Sequence, residues 1–128
     1  MKSVVICGSR RFTTEIRKFA KDLRKYGVTT FEPFLNKNKG NDTLENDLKK
    51  FAFLGLTLHH FSFIKKADVV YIYNKGGYMG VSSTLELGFA EALGKPIYAL
   101  SDSDSESARK VLFNEIIKTS KELVKKLK

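Results

Sequence analysis

The stretch "ADVVYIYNKGGYMGVSSTLELGFAEALGKPIYAL", residues 67–100, decides the fold. Residues 68–73 form an almost wholly apolar run, as expected of a strand buried on both faces. A glycine-rich loop (74–82) and a helical pattern (83–94) follow. Gly94-Lys95-Pro96 then stops the helix and leads into a second apolar strand, 96–100. Strand, helix and strand with no polar strand face make the repeating unit of a parallel sheet covered by helices.

The same alternation extends in both directions. "KSVVIC" (2–7) reads as a first strand, and "GSRRFTT" as a turn into a helix with an apolar stripe at Ile16, Phe19, Ala20 and Leu23. Gly27 ends that helix, "VTTFEPF" (28–34) reads as a second strand, and "LNKNKGN" as a polar loop. Asp42 is placed to cap the next helix, with Glu45 completing a capping-box pattern, and the helix runs to about Lys66 with a weak point at Gly55. Phe51, Phe53, Leu54, Leu56, Leu58, Phe61, Phe63 and Ile64 surround it, which predicts burial on more than one side and a self-association face.

After residue 100, "SDSDSESA" reads as a polar loop. The C-terminal segment reads as two short helices, the second opened by the capping box "TSKE" (119–122), with Val111, Leu112, Ile116, Ile117, Leu123 and Leu127 as packing residues. With no repeats and no dividing linker, residues 1–128 are expected to form one domain.

An apolar share of 42% with 12% aromatics excludes disorder, and no run approaches the roughly 18 apolar residues of a membrane span. "MKSVVICGSRRF" has too short an apolar run for a signal peptide. The single cysteine, Cys7, falls inside it and is expected to be buried and inert. A cytoplasmic protein with no membrane partner is the expectation. The net charge of +9 comes largely from "RKFAKDLRKYG" and "KTSKELVKKLK", where lysines and arginines fill polar helix faces. No nucleic-acid-binding module accompanies it, so a small anion such as a nucleotide phosphate is the better-matched partner.

Ligands of open parallel sheets bind beyond the carboxyl ends of the strands. "GSRR", "NKGGYMG" and "SDSDS" all belong to that edge. Gly8 and Ser9 offer close approach and free N–H groups at a helix start, and Arg10 or Arg11 adds charge. Gly76, Gly77 and Gly80 let the chain pass close to a ligand, with Ser82 and Ser83 beside it as hydrogen-bonding groups. Neither GxGxxG after the first strand nor GxxxxGK[ST] is present, which disfavours a dinucleotide site and a P-loop. The adjacent His59 and His60 point apart on a helix, and no metal-ligand spacing is found, so neither metal nor other cofactor is expected.

Glu86 has two readings. In "STLE" it completes a capping box with Ser83 as the cap. A carboxylate near a helix start at the strand edge also suits a covalent nucleophile at a sugar anomeric carbon. Spacing does not separate the two.

"VVICGSRRF", "ADVVYIYNKGGYMG" and "ELGFAEALGKPIYAL" together resemble the nucleoside 2-deoxyribosyltransferase superfamily, most closely its 2'-deoxynucleoside 5'-phosphate N-hydrolase branch, over about residues 2–100. The resemblance implies a three-layer α/β domain, Rossmann-like or flavodoxin-like, with a parallel sheet of about four to five strands. It also implies cleavage or transfer of an N-glycosidic bond through a glycosyl-glutamate. On that resemblance Glu86 is the nucleophile, and Gly8, Ser9 and Arg10 meet the 5'-phosphate or sugar. Gly80 and Ser82 close on the substrate, and Asn74 lies near an acidic position that helps hold it. Such enzymes are generally homodimers or higher homo-oligomers.

Three departures stand out. Val5 replaces a tyrosine, His60 replaces the branch's acid, and Ser82-Ser83 replaces Gly-Thr after a longer glycine loop. The leaving-base acid then falls to His60 or to a residue outside the motif. The competing readings are a non-catalytic nucleotide sensor on the same scaffold and a ribonucleotide phosphoribohydrolase.

Overall fold

Burial along the first strand explains why this sequence builds helices on both sides of a sheet. The computed structural model describes residues 1–34 and 45–128, with β1 at Val4–Gly8. Val4 and Ile6 pack with Ile16, Phe19, Ala20 and Leu23 of α1 (Thr13–Lys25), whereas Val5 and Cys7 belong to the core on the opposite face. A strand apolar on alternate residues of both faces must be covered twice.

β2 (Thr30–Phe31), β3 (Val69–Tyr73), β4 (Ile97–Ala99) and β5 (Glu115–Ile116) complete a five-stranded sheet. Its order is β2-β1-β3-β4-β5 and every pairing is parallel. α1 and α5 (Ser120–Leu127) cover one face through Leu23, Leu123 and Leu127. α2 (Asn46–Lys66) and α3 (Val81–Ala92) cover the other through Ile64, Leu87 and Ala90. The expected three-layer, Rossmann-like α/β architecture is therefore present, with the flavodoxin-like strand order.

Several elements differ from expectation. The second strand keeps only Thr30 and Phe31 of the predicted 28–34, and Pro33, which has no N–H to donate, follows it. The two short C-terminal helices are present as a single turn, α4 (Ser107–Lys110), and α5, but an unexpected strand, β5, lies between them. Asn114 Oδ1 accepts from Ile97 N–H at 2.7 Å, and Ile117 N–H donates to the Ala99 carbonyl at 2.8 Å, so this short segment zips onto β4. Val111, expected to pack, is exposed, whereas Ile117, Leu123 and Leu127 are buried. The 119–122 cap forms: Thr119 Oγ1 accepts from Glu122 N–H, and Glu122 Oε2 accepts from Lys118 N–H.

The Asp42 cap lies outside the described residues. α2 is described from Asn46, Glu45 makes no side-chain cap, and Gly55 does not interrupt the helix. Of its residues only His60 and Ile64 are fully buried. Phe61 stacks on Phe89 at 4.3 Å and Phe63 on Phe31 at 5.0 Å, while Phe51, Leu54 and Leu58 face solvent, Phe51 with 70% of its surface exposed. No helix among the described residues is long and apolar enough to cross a membrane.

Candidate functional site

The strand order reverses between β1 and β3, the point where a doubly wound sheet leaves a crevice for a ligand. Gly8 ends β1 there. A Cβ on it would lie 2.6 Å from Ile16 Cδ1 and 3.2 Å from the Tyr73 carbonyl oxygen, so only glycine lets β1, α1 and β3 converge. Ser9 caps the following turn, its Oγ accepting from Arg11 N–H at 3.1 Å. Arg10 stays at the exposed rim. Arg11 turns away and lays its guanidinium 3.6 Å from the centre of the Tyr78 ring.

α3 begins earlier than its sequence pattern indicates. Gly80 is the N-cap residue and Val81 the first helical one, so Ser83 sits inside the helix, buried. Glu86 is then in the second turn and does not form the predicted capping box with Ser83. The first N–H groups of α3, which have no partners within the helix, belong to Val81, Ser82 and Ser83.

Gly8, Ser9, Arg10, Gly80, Ser82 and Ser83 line one cavity of about 290 Å³ together with His60 and Glu86. It is near the small end of ligand pockets. Pro33, Phe34, Phe53, Leu56 and Phe61 add apolar lining to the same cavity. The cavity thus offers both apolar side chains and the N–H, hydroxyl and guanidinium groups suited to an anion.

Cys7, His60 and Glu86 meet at the floor, their ligand-capable atoms all within 4.8 Å of one another. Cys7 Sγ lies 3.3 Å from His60 Nε2, which lies 3.5 Å from Glu86 Oε2. The second distance is at the limit of a hydrogen bond. Glu86 Oε2 and His60 Nδ1 have no hydrogen-bond partner among the described residues.

Burial governs their charge. Glu86, with 9% of its surface exposed, is pushed up to about 8 by desolvation, with a contact to Cys7 working the other way. His60 is pushed down to about 4, first by desolvation and then by the His59 charge. Burial raises the Cys7 thiol well above its usual value, with the Glu86 carboxylate adding to the effect. At neutral pH the floor therefore holds a protonated carboxyl, a neutral imidazole and a thiol.

Two sequence candidates lie elsewhere. Asn74 is fully buried, and its amide donates to the Ser101 carbonyl and accepts from Ser101 N–H, both at 2.9 Å, tying the end of β3 to the end of β4. Gly77, with a positive φ of 83°, packs so closely on Ser103 and Asp104 that a Cβ would overlap their backbone. The "SDSDS" loop, expected at the site, is engaged in this packing and in the Asp104–Arg109 ion pair, and none of its residues lines the cavity.

No family model matches the chain, and no curated protein sequence does. Among solved structures, it is similar to the 2-deoxyribosyltransferase from the psychrotolerant bacterium Bacillus psychrosaccharolyticus. That likeness has a TM-score of 0.63 at 18% identity, covering 94% of this chain and 89% of that one. It is also similar to a conserved protein from Enterococcus faecalis V583, with a TM-score of 0.55 at 15% identity over 99% and 97% of the two chains. These likenesses establish the fold.

Sequence reasoning missed Cys7 as a neighbour of Glu86, and it missed the wall of Phe34, Phe53 and Phe61. For the wall a signal existed, since an α2 apolar all round has surface left over after packing. For Cys7 there was none: residues 7, 60 and 86 meet only through tertiary structure.

Proposed function

We propose that the protein cleaves or transfers the N-glycosidic bond of a nucleoside, or of its 5'-monophosphate, with Glu86 as the nucleophile. The observation that carries this reading is Glu86 itself: a buried carboxyl lining the cavity, with an oxygen that has no hydrogen-bond partner among the described residues, in the company of two anion-suited turns and apolar side chains. The transferase-like fold supports it at the level of architecture.

In this mechanism the base stacks against Phe34, Phe53 and Phe61, and Ser9, Arg10, Ser82 and the N–H groups of α3 hold the 5' end of the sugar. Glu86 reacts in its ionised form, its proton having passed to solvent, and its oxygen attacks C1'. The base leaves with the bonding electron pair and takes a proton from water, since His60, held down to about 4, stays a neutral imidazole. Water or a second base then attacks C1' and releases Glu86. Burial makes the glutamate a stronger nucleophile once ionised, at the cost of a low ionised fraction at neutral pH, about a tenth at pH 7 for a value near 8. We place this activity in the cytoplasm, in a homodimer or higher oligomer built on the exposed apolar face of α2.

The test is release of free base from ribo- and deoxyribonucleosides and their 5'-monophosphates, with and without an acceptor base, for wild type and Glu86→Gln. Release that requires Glu86 supports the proposal, and acceptor dependence divides transferase from hydrolase. Nucleotide binding without release would favour the sensor reading, which the neutral state of Glu86 also suits. Ribonucleotide preference would favour the phosphoribohydrolase.

A further inference from the structure

We propose that Cys7, His60 and Glu86 form a binding site for one zinc ion. The three residues come from β1, α2 and α3, each fixed by its own packing, and converge without any local sequence motif. Zinc takes thiolate, imidazole and carboxylate ligands at about 2.0–2.3 Å, so the edges of its tetrahedron are roughly 3.3–3.6 Å. The observed edges are 3.3 Å from Cys7 Sγ to His60 Nε2 and 3.5 Å from His60 Nε2 to Glu86 Oε2. Rotation of the Glu86 carboxyl within its 4.8 Å range of Cys7 closes the third edge.

Charge makes the same selection. One thiolate and one carboxylate with a neutral imidazole balance a divalent ion, leaving a loaded site with no net charge, as a buried location demands. Calcium and magnesium prefer oxygen ligands throughout and do not suit a thiolate and an imidazole. On binding, bonds form from zinc to sulfur, nitrogen and oxygen, and the protons on Cys7 and Glu86 pass to solvent.

Two further observations point to a ligand. Glu86 Oε2 is buried and lacks a hydrogen-bond partner among the described residues. His60 and Glu86 line the cavity whereas Cys7 lies behind them, so an ion enters from the cavity and its fourth position faces it, the open arrangement of non-structural zinc sites. Among the described residues, His60 Nδ1 lacks the outer carboxylate or carbonyl partner that usually orients a ligating histidine. Such a partner is worth about 10–100-fold in affinity, so binding here is expected to be weaker than in a structural site by that order.

The site stands whether or not the glycosidic reaction does. If it does, zinc holds the nucleophile and inhibits base release.

The experiment is equilibrium dialysis of chelator-treated protein against zinc, with cobalt absorption as a second probe, and neither needs turnover. Wild type is expected to bind one equivalent and to show a thiolate-to-cobalt charge-transfer band, which only Cys7 can supply in a chain with one cysteine. Cys7→Ser should abolish the band, and Cys7→Ser, His60→Gln and Glu86→Gln should each weaken zinc by at least about tenfold. His59→Gln, at the exposed neighbouring histidine, should change neither. Circular dichroism and melting establish which variants are folded, and His60→Gln carries the test if Cys7→Ser is not. Sub-stoichiometric binding, or binding unaffected by these substitutions in folded variants, would overturn the proposal and leave the cluster a hydrogen-bonded triad.

Discussion

α1 and α2 lie on opposite faces of one sheet and use their apolar residues in opposite ways. α1 concentrates Ile16, Phe19, Ala20 and Leu23 into one buried stripe and turns its lysines and arginines outward. α2 carries apolar residues all round, buries His60 and Ile64, and leaves Phe51, Leu54 and Leu58 exposed. The first arrangement uses all of a helix's apolar surface for stability and leaves none over. The second leaves apolar surface for a cavity wall at Phe53, Leu56 and Phe61, and more on its outer side. The cavity lies on the less completely packed face.

The largest expected difference between the faces is catalytic. Glu86→Gln should lower base release by at least about 10³-fold, as loss of a nucleophile does, while the fold persists. No change on the α1 face should do this without unfolding the chain. The pH profile of kcat/KM for wild type should rise towards about pH 8 as Glu86 ionises. A flat profile from pH 6 to 9 would exclude Glu86 as the ionising nucleophile.

Stability should show the reverse asymmetry. Leu23→Ala, at a fully buried position of α1, should cost about 2–5 kcal/mol in denaturant unfolding. Asn74→Ala removes both bonds to Ser101 and should cost about 1–3 kcal/mol, lowering activity only as far as the loops loosen. A loss of activity far beyond its loss of stability would return Asn74 to the substrate.

The floor residues give stability a pH dependence between about pH 4 and 8. Glu86 has a folded value near 8 against an ordinary 4.5, so the folded state holds the extra proton and stability falls as pH rises across that interval. His60 has a folded value near 4 against 6.5, so stability rises with pH between those values. The two slopes oppose one another from about 4.5 to 6.5, and from 6.5 to 8 only the Glu86 loss remains. In chelated protein, unfolding should therefore show a decline of up to about 1.4 kcal/mol per pH unit above pH 6.5, absent in Glu86→Gln. A decline that survives the substitution would assign it to another group.

How much of this the sequence discloses follows the same division. β1, β3 and β4 are apolar runs too long to mistake, and the spacing of the α1 stripe is enough by itself to specify which face is buried. β5 is two residues, Glu115 and Ile116, whose pairing depends on Asn114 and Ile117 reaching β4, and no periodicity exists in so short a segment. The start of α3 misleads for a different reason. "STLE" satisfies a capping pattern, yet the helix gains a turn by starting at Val81, because Ser83 and Glu86 are both on its buried side. That shift moves Glu86 from a solvent-facing cap to the cavity floor. Pattern reasoning singled out Glu86 and left its position open, because a local rule fits where tertiary packing decides.

The smallest expected effect on a single chain is on the outer side of α2, and it is the most informative about assembly. Phe51→Ser with Leu58→Ser removes two exposed side chains, so in an isolated chain unfolding should change by only about 0.5 kcal/mol per site. If this face joins copies of the protein, the same double substitution should convert the sedimenting species to monomer and make stability independent of protein concentration. Cavity residues Phe53 and Phe61 are untouched, so base release per chain should persist unless the partner copy completes the cavity. Monomer with full activity would separate assembly from catalysis on α2, and monomer without activity would place the partner's surface at the site. An unchanged oligomer would move the interface off α2, leaving its exposed apolar residues as the surplus of a helix built around a cavity.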